Sequence, residues 1–552
     1  MDYEKLAALL FPDVTLTPED LEARYPARDL KEGARVTRFA PSPTGYLHVG
    51  GLFGALTDVL VAKASGGIAY LRIEDTDKKR EINDGVSAII NGFRAFGIHF
   101  DEGVTGFGTE SGNYGPYTQS QRVEIYHAVA KALVQKGLAY PCFCTAEELT
   151  ALREQQDADG ALIRGYFGKY ARCRDLSMEQ IEENLKAGKP YVLRFRSDGS
   201  EDRRICFEDM IKGKIEMPEN IIDEVLLKSD GIPTYHFAHV CDDHFMRTTH
   251  VIRGEEWLSS VPKHIALFRA CGFRMPKYIH TAQVMKIDEE DGTKRKLSKR
   301  KDPEAAVSYF VEKGFPKESL IEYLLTLLNS NFEDWRKANP QLAAMDFPFN
   351  VKKMSASGCL FDLLKLTDVS KNVISHMDAQ TVYDRVSIWA KEYAPEFAEI
   401  FCADSAFSTA IVNIDRNCPK PRKDIAKWEE MPEYLSYFFD STFAPSYEMP
   451  EKLAKKDVKA ILSAYAVVYD ENDTKDEWFA RMKTVCPALG FSPEVKEYKK
   501  NPDAYKGHVG DVSSVVRIAV TGRSNTPDLC TIMQLLGKER VLARLNACAE
   551  AL

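Results

Sequence analysis

Four groups of side chains in this 552-residue chain are of types and spacings that could do chemistry. His48, Gly50 and Gly51 close the stretch RFAPSPTGYLHVGG, Arg38 to Gly51. Pro41, Pro43 and Gly45 set a rigid turn, and apolar periodicity from Leu52 to Ala64 predicts a helix just after it. Free N–H groups and the dipole at a helix start favour a phosphate, and glycines there let a ligand approach the backbone. Far downstream, KLSKR (Lys296 to Arg300) follows a polar turn, Asp288 to Thr293. That placement predicts an exposed loop whose Lys296 and Lys299 can close on a polyphosphate. Arg38 lies within a short apolar strand, Val36 to Ala40, where an unpaired cation is costly. It either pairs with Glu74 or Asp75 of LRIEDTD or grips a substrate carboxylate, which suits its planar fork. Cys142 and Cys144, with Cys173 further on, either hold a tetrahedral zinc or are three free thiols; Tyr170 and Asp175 are the candidate fourth ligands.

The elements that must position these residues follow from pattern. The chain is too long for one core and implies several domains. Residues 1–34 read as a helical extension, Tyr3 to Leu10 and then a capped start at Thr17. Residues 35–140 alternate strand and helix: a second strand over Ile68 to Ile73, helices over Val86 to Phe96 and Gln121 to Lys136. This is the first half of a Rossmann-like parallel sheet, whose ligands bind at the strands' carboxyl ends, although no G-x-G-x-x-G is present. Residues 141–218 change character and read as an inserted α/β unit, with a helix over Ala146 to Gln156 and strands in PYVLRFRSDG and KGKIEMP. Residues 219–305 resume the rhythm and complete the sheet, with Arg253 at a strand end and Glu255 to Trp257 opening a helix. His236, His239 and His244 beside Asp242 and Asp243 are spaced too loosely for a metal set. Beyond Lys301 the chain reads as helical, in two parts (306–380 and 381–552), with an irregular polar segment from Asn331 to Val351. Helical patterns recur at Ala379 to Tyr393, Asp457 to Val468, Lys475 to Cys486 and Thr531 to Leu545. The fold class is therefore multidomain α/β followed by all-α domains.

A net charge of -9 does not advertise nucleic-acid binding, so any RNA partner needs a local basic surface. No apolar run is long enough to span a bilayer, and twelve scattered cysteines fit reduced thiols in a cytosol better than a disulfide framework.

PSPTGYLHVGG, RIEDTD, PTYHFAHVCDDH, HVIRGEEW and KLSKR together resemble the ATP signatures and amino-acid pocket of the class I aminoacyl-tRNA synthetases. Their wording is similar to the glutamyl, bacterial-type branch, closely from Arg35 to about Asn329 and more weakly to the C-terminus. The resemblance implies an enzyme that joins L-glutamate to ATP with Mg²⁺ and passes the glutamyl group to the 3′-adenosine of tRNA-Glu. It implies Thr44, Gly50, Gly51, Glu256, Trp257 and Lys299 around ATP, with His48, Lys296 and Lys299 stabilising the developing charge. Around glutamate it implies Arg38, Ser42, Glu74, Tyr235, His239 and Arg253, with Arg253 on the side-chain carboxylate. His239 departs from the family's usual residue. The insertion would approach the tRNA acceptor end, the C-terminal helices the anticodon, and the enzyme would be a cytoplasmic monomer. A form that also charges tRNA-Gln and a non-catalytic tRNA-binding relative are the alternatives.

Overall fold

The computed structural model describes residues 1–43, 45–76, 84–298 and 300–552. It divides into two compact units, one of residues 1–310 with 321–362 and one of residues 311–320 with 363–552.

In the first unit, helices α1 (Tyr3–Leu10) and α2 (Pro18–Arg24) precede strand β1 (Val36–Phe39) and helix α3 (Val49–Lys63). Thr17 and Asp20 cap α2 reciprocally, the arrangement their spacing predicts. There follow β2 (Ile68–Leu71), α4 (Gly85–Ala95), β3 (Glu102–Gly106), β4 (Thr109–Ser111), α5 (Val123–Gln135) and β5 (Ala139–Cys142). β1, β2 and β3 pair in parallel, Val36 opposite Ile68 and Tyr70 opposite Glu102. The next elements are α6 (Ala146–Ala158), α7 (Met178–Lys186), β6 (Val192–Phe195), β7 (Arg204–Asp209), β8 (Gly213–Pro218) and β9 (Val225–Leu227). After them come α8 (Tyr235–Phe245), β10 (His250–Gly254), α9 (Val261–Cys271), β11 (Lys277–Thr281), β12 (Val284–Ile287) and β13 (Lys294–Lys296).

β10 lies beside β1, where the Thr249 N–H donates to the Val36 carbonyl at 3.0 Å, and it pairs in parallel with β11. The two halves of the parallel arrangement thus meet at β1 and β10, whose carboxyl ends carry Arg38 and Arg253. Parallel strands covered on both faces need continuous apolar runs, and Val36, Ala69, Tyr70, Leu71, Val251 and Ile252 are all buried.

Three elements differ from the sequence expectation. The β7–β8 hairpin lies within the 141–218 stretch but pairs with β11, because the apolar face of Ile205 and Phe207 packs against Val251 and Tyr278. Glu255 to Ser260 form a 3₁₀ turn, and the helix itself opens only at Val261 with Pro262 in its first turn. The polar segment after Asn331 contains a helix, Phe332–Ala338, held by Phe332 and Trp335 against Phe347.

The second unit is helical. Helices Leu363–Ser375, Ala379–Tyr393, Lys455–Val468 and Val509–Thr521 bury Val382, Val386, Ile461, Leu462, Val512 and Val515 in one core. The pattern from Thr531 to Leu545 is two helices, Leu529–Leu536 and Lys538–Ala551, broken at Gly537, whose φ of 80° suits only glycine there. No helix among the described residues is long and apolar enough to cross a membrane.

Candidate active site

A cleft of about 1420 Å³ opens at the carboxyl ends of β1 and β10. Arg38, Ser42, His48, Gly50, Gly51, Glu74, Tyr235, Arg253, Glu256, Trp257 and Lys296 all line it.

At its phosphate-type end, His48 is the N-cap of α3: its Nδ1 accepts the Gly51 N–H at 2.9 Å. A neutral imidazole bonded in this way carries its hydrogen on Nε2. The glycines have a packing reason as well as the ligand one. A Cβ on Gly50 would lie 3.1 Å from the His48 ring, and one on Gly51 3.0 Å from Leu47. Ala306 forms a bridge with His48, and the Val307 N–H donates to the Leu47 carbonyl at 3.2 Å, so the chain just after KLSKR docks beside the His48 turn. Lys296 is the last residue of strand β13, in a hairpin with β12, and not on a free loop. The hairpin's base is fixed by Arg295, which donates to Asp302 at 2.6 and 2.8 Å and to Asp288 at 2.6 Å. Lys296 itself is exposed, 3.7 Å from Glu256, whose other oxygen accepts from Gln283. The cap gives a separable test. His48→Asn, which keeps a good N-cap, should retain the melting temperature yet lose adenylate formation. His48→Ala should lose both, at a cost of about 1 kcal/mol in stability. Equal activity for the two variants and the parent would remove His48 from the chemistry.

At the other end, Arg38 is buried (4% exposed), with Nε 3.2 Å from both Asp243 oxygens and one terminal nitrogen on the Ile252 carbonyl. Its acidic partner is therefore neither Glu74 nor Asp75. Those two are already engaged: Arg72 donates to Glu74 at 3.0 Å, and Asp75 accepts from the Ser120 N–H at 2.8 Å. Arg72 also donates to Asp243 at 2.8 Å. Burial alone would raise the Asp243 carboxyl, but Arg38 and Arg72 hold it well below the usual carboxylate range. Glu74 is pushed up by burial, opposed by Arg72 and Arg38. Next to Asp243 on α8, Asp242 accepts from Arg122 at 2.6 Å, Gln119 at 2.9 Å and the Tyr126 hydroxyl at 2.9 Å. The two adjacent carboxylates thus tie α8 to β1, β2 and α5. Their guanidinium partners lie more than 100 residues away, beyond the reach of any local pattern.

Arg253 differs from these paired cations. Its Nε donates to His280 Nε2 at 3.1 Å, one terminal nitrogen lies 3.3 Å from His264 Nδ1, and the other is buried without a partner. Among the described residues no carboxylate pairs with it. Tyr235 and Trp257 wall the cleft, their rings 4.6 Å apart. His239 does not reach the cleft, a correction to the expected glutamate contact. One turn after Tyr235 on α8, it is fully buried behind that ring, at 5.9 Å, and against His264, at 4.5 Å. Burial pulls its pKa down to about 4, so it is a neutral packing residue 2.8 Å from Asp243 without hydrogen-bond alignment. Thr44 and Lys299 lie outside the described residues.

The thiols of Cys142, Cys144 and Cys173 have their sulfurs within 4.8 Å of one another. Neither expected fourth ligand joins them. The Tyr170 hydroxyl donates to Asp159 at 2.8 Å, and Asp175 is an exposed partner of Arg196. Tyr166 takes the place: its hydroxyl is 3.3 Å from Cys144 Sγ and accepts the Cys173 N–H at 2.9 Å. Cys144 Sγ also lies 3.6 Å from Cys173 Sγ. The three thiols fit the donor preference of zinc, with the Tyr166 hydroxyl beside them.

Residues 35–356 match the model described as tRNA synthetases class I (E and Q), catalytic domain, and residues 497–549 match an anticodon binding domain. Over 99% of its length the chain is 52% identical to the whole of a glutamate–tRNA ligase from Clostridium perfringens (strain 13 / Type A). The chain belongs to the glutamate–tRNA ligase family of class I tRNA synthetases. The Acetivibrio thermocellus ligase is 49% identical over 99% of this chain and 100% of its own. A solved glutamate tRNA ligase from Elizabethkingia meningosepticum, in complex with its amino acid, superposes with a TM-score of 0.75 at 27% identity, covering 94% of this chain and all of that one. Here the His48 turn, the β13 hairpin and Arg253 share one cleft.

Proposed function

We propose that this glutamate–tRNA ligase binds glutamate and ATP in the β1/β10 cleft, forms glutamyl-adenylate there, and transfers the glutamyl group to the 3′-adenosine of tRNA-Glu. The observation that carries the placement is Arg253, a half-buried cation with one buried terminal nitrogen unpartnered and no carboxylate partner among the described residues, on the same cleft as His48 and Lys296. An acidic side chain completes it. Arg38, already neutralised by Asp243, supports the pocket wall and orients the amino acid, beside Ser42, Glu74 and Tyr235. Trp257, Glu256, Gly50 and Gly51 would border the nucleotide.

The reaction needs alignment more than acid–base chemistry, since the substrate's own carboxylate oxygen attacks the α-phosphorus. His48 and the lysines of KLSKR supply positive charge and hydrogen-bond donors to the phosphate oxygens as charge develops. Magnesium entering with the triphosphate would neutralise the departing pyrophosphate. A ribose hydroxyl of the tRNA terminus then attacks the glutamyl carbonyl of the mixed anhydride, forming the ester as the bond to phosphate breaks and AMP leaves with the hydroxyl proton. With tRNA-Glu present, pyrophosphate exchange should depend on glutamate and be absent with glutamine. Equal exchange with glutamine would contradict the role of Arg253.

Cys142, Cys144, Cys173 and Tyr166 would hold zinc as a structural staple between β5 and the 166–173 turn. Elemental analysis should find about one zinc per chain, reduced in Tyr166→Phe. Metal-free protein whose melting temperature is indifferent to added zinc would make them three free thiols.

A further inference from the structure

Arg253 is held in an unusual manner. A guanidinium in a protein interior is ordinarily paired with a carboxylate, as Arg38, Arg72 and Arg122 are here. Arg253 instead rests on imidazoles, and its partner His280 is anchored in turn. His280 is fully buried, and its Nδ1 lies 2.8 Å from Asp209 Oδ2, which also accepts the His280 backbone N–H at 3.0 Å. The other Asp209 oxygen accepts the N–H groups of Ile211 and Lys212, both at 2.9 Å. All of its polar partners are donors, so Asp209 stays ionised; burial acts against this but His280 and the backbone N–H groups hold its pKa low. An ionised Asp209 forces the hydrogen of His280 onto Nδ1. Nε2 is then a bare lone pair aimed at Arg253 Nε.

We propose that Asp209 and His280 are positioning residues for Arg253: they fix its guanidinium on a neutral acceptor, so that its charge is left for the substrate's side-chain carboxylate. This rests on the glutamate reading above. A carboxylate placed directly on Arg253 would orient it equally well but cancel the charge that selects an acid. Relaying through an imidazole separates the two tasks. Asp209 ends β7, in the stretch assigned by sequence to the insertion, and the same turn grips β10's exit a second time: Lys212 pairs with Glu255 at 2.7 Å. The β7–β8 hairpin therefore backs Arg253 from behind His280.

The decisive comparison is among Asp209→Asn, His280→Asn and His280→Gln, assayed for glutamylation of tRNA-Glu. Asp209→Asn presents an amide hydrogen to one of the His280 donors and disfavours the Nδ1–H tautomer. His280→Asn keeps the link to Asp209 but withdraws the acceptor from Arg253. Both should raise KM for glutamate by roughly 10- to 100-fold while KM for ATP stays within about twofold. His280→Gln, whose amide oxygen can occupy the Nε2 position, should recover most of the loss. A uniform fall in kcat with both KM values unchanged would overturn the proposal. Should the variants fold poorly, ¹⁵N spectra of the histidines in the unaltered protein decide it. His280 assigned as the Nδ1–H tautomer supports the proposal, and Nε2–H overturns it without reference to activity. Failure of the unaltered protein to use glutamate would instead count against the functional reading alone.

Discussion

Arg253→Gln should leave a folded enzyme that binds ATP normally and has almost no use for glutamate. The neutral amide can still reach His280 and His264, but it cannot answer a carboxylate. Removing one member of a desolvated, hydrogen-bonded charge pair costs about 2–5 kcal/mol, a factor of roughly 30 to 5,000 in affinity. The loss should fall on KM for glutamate and on kcat/KM, with KM for ATP nearly unchanged. The same variant should narrow the margin between glutamate and glutamine, because the parent rejects the amide by leaving Arg253 buried and unpaired. An unaltered glutamate KM would place the side-chain carboxylate elsewhere in the cleft.

Asp243→Asn should instead be a stability variant. Asp243 is fully buried and is the shared partner of Arg38 and Arg72, which are themselves buried. The substitution removes one negative charge from between two cations and leaves them facing each other. Breaking a buried pair in this way costs about 3–5 kcal/mol. The melting temperature should fall by several degrees, and glutamate binding with it, since Arg38 would lose its anchor. The pH dependence has a fixed sign. The folded-state pKa of Asp243 is depressed, so its contribution is complete above the unfolded carboxyl value of about 4 and disappears as pH falls below it. The parent protein should lose stability below about pH 4 more steeply than Asp243→Asn, measured by urea titration across that range. Parallel curves would mean that Asp243 is not the acid-sensitive group.

Which parts of this structure could be read in the sequence follows from the range of the signals. Helix α3, the Thr17–Asp20 capping box and the helix Ala379–Tyr393 rest on period and on contacts within a few residues, and their boundaries were close. Arg38, His48, Tyr235, Trp257 and Arg253 all line the cleft; pattern placed His48 and Arg253 near element ends and Arg38 within a strand, whereas Tyr235 and Trp257 came from the family resemblance. The partners of those residues were not legible. Asp243 meets Arg38 from 205 positions away, and Asp209 meets His280 from 71. Only the topology that sets β10 between β1 and β11 brings them together. Tyr166 and Tyr170 illustrate the same limit at short range. Both lie near Cys173, and the 3₁₀ turn Gly168–Tyr170 sends one hydroxyl to Asp159 while the other meets the thiols. Strand β7, which extends the β10–β11 sheet, lies in the stretch assigned to the insertion for a related reason: an alternating strand shows which face is buried but not against which neighbour.

The central claim is that one cleft joins glutamate to ATP and delivers it to tRNA. It is tested most directly by incubating the protein with ATP, magnesium, radiolabelled glutamate and a tRNA-Glu transcript, with a transcript whose 3′-terminal ribose has been oxidised by periodate as control. The account predicts ATP-dependent label in an alkali-labile ester on the intact transcript, none on the oxidised one, and none with labelled glutamine. Absence of charging on the intact transcript by a folded protein would contradict it.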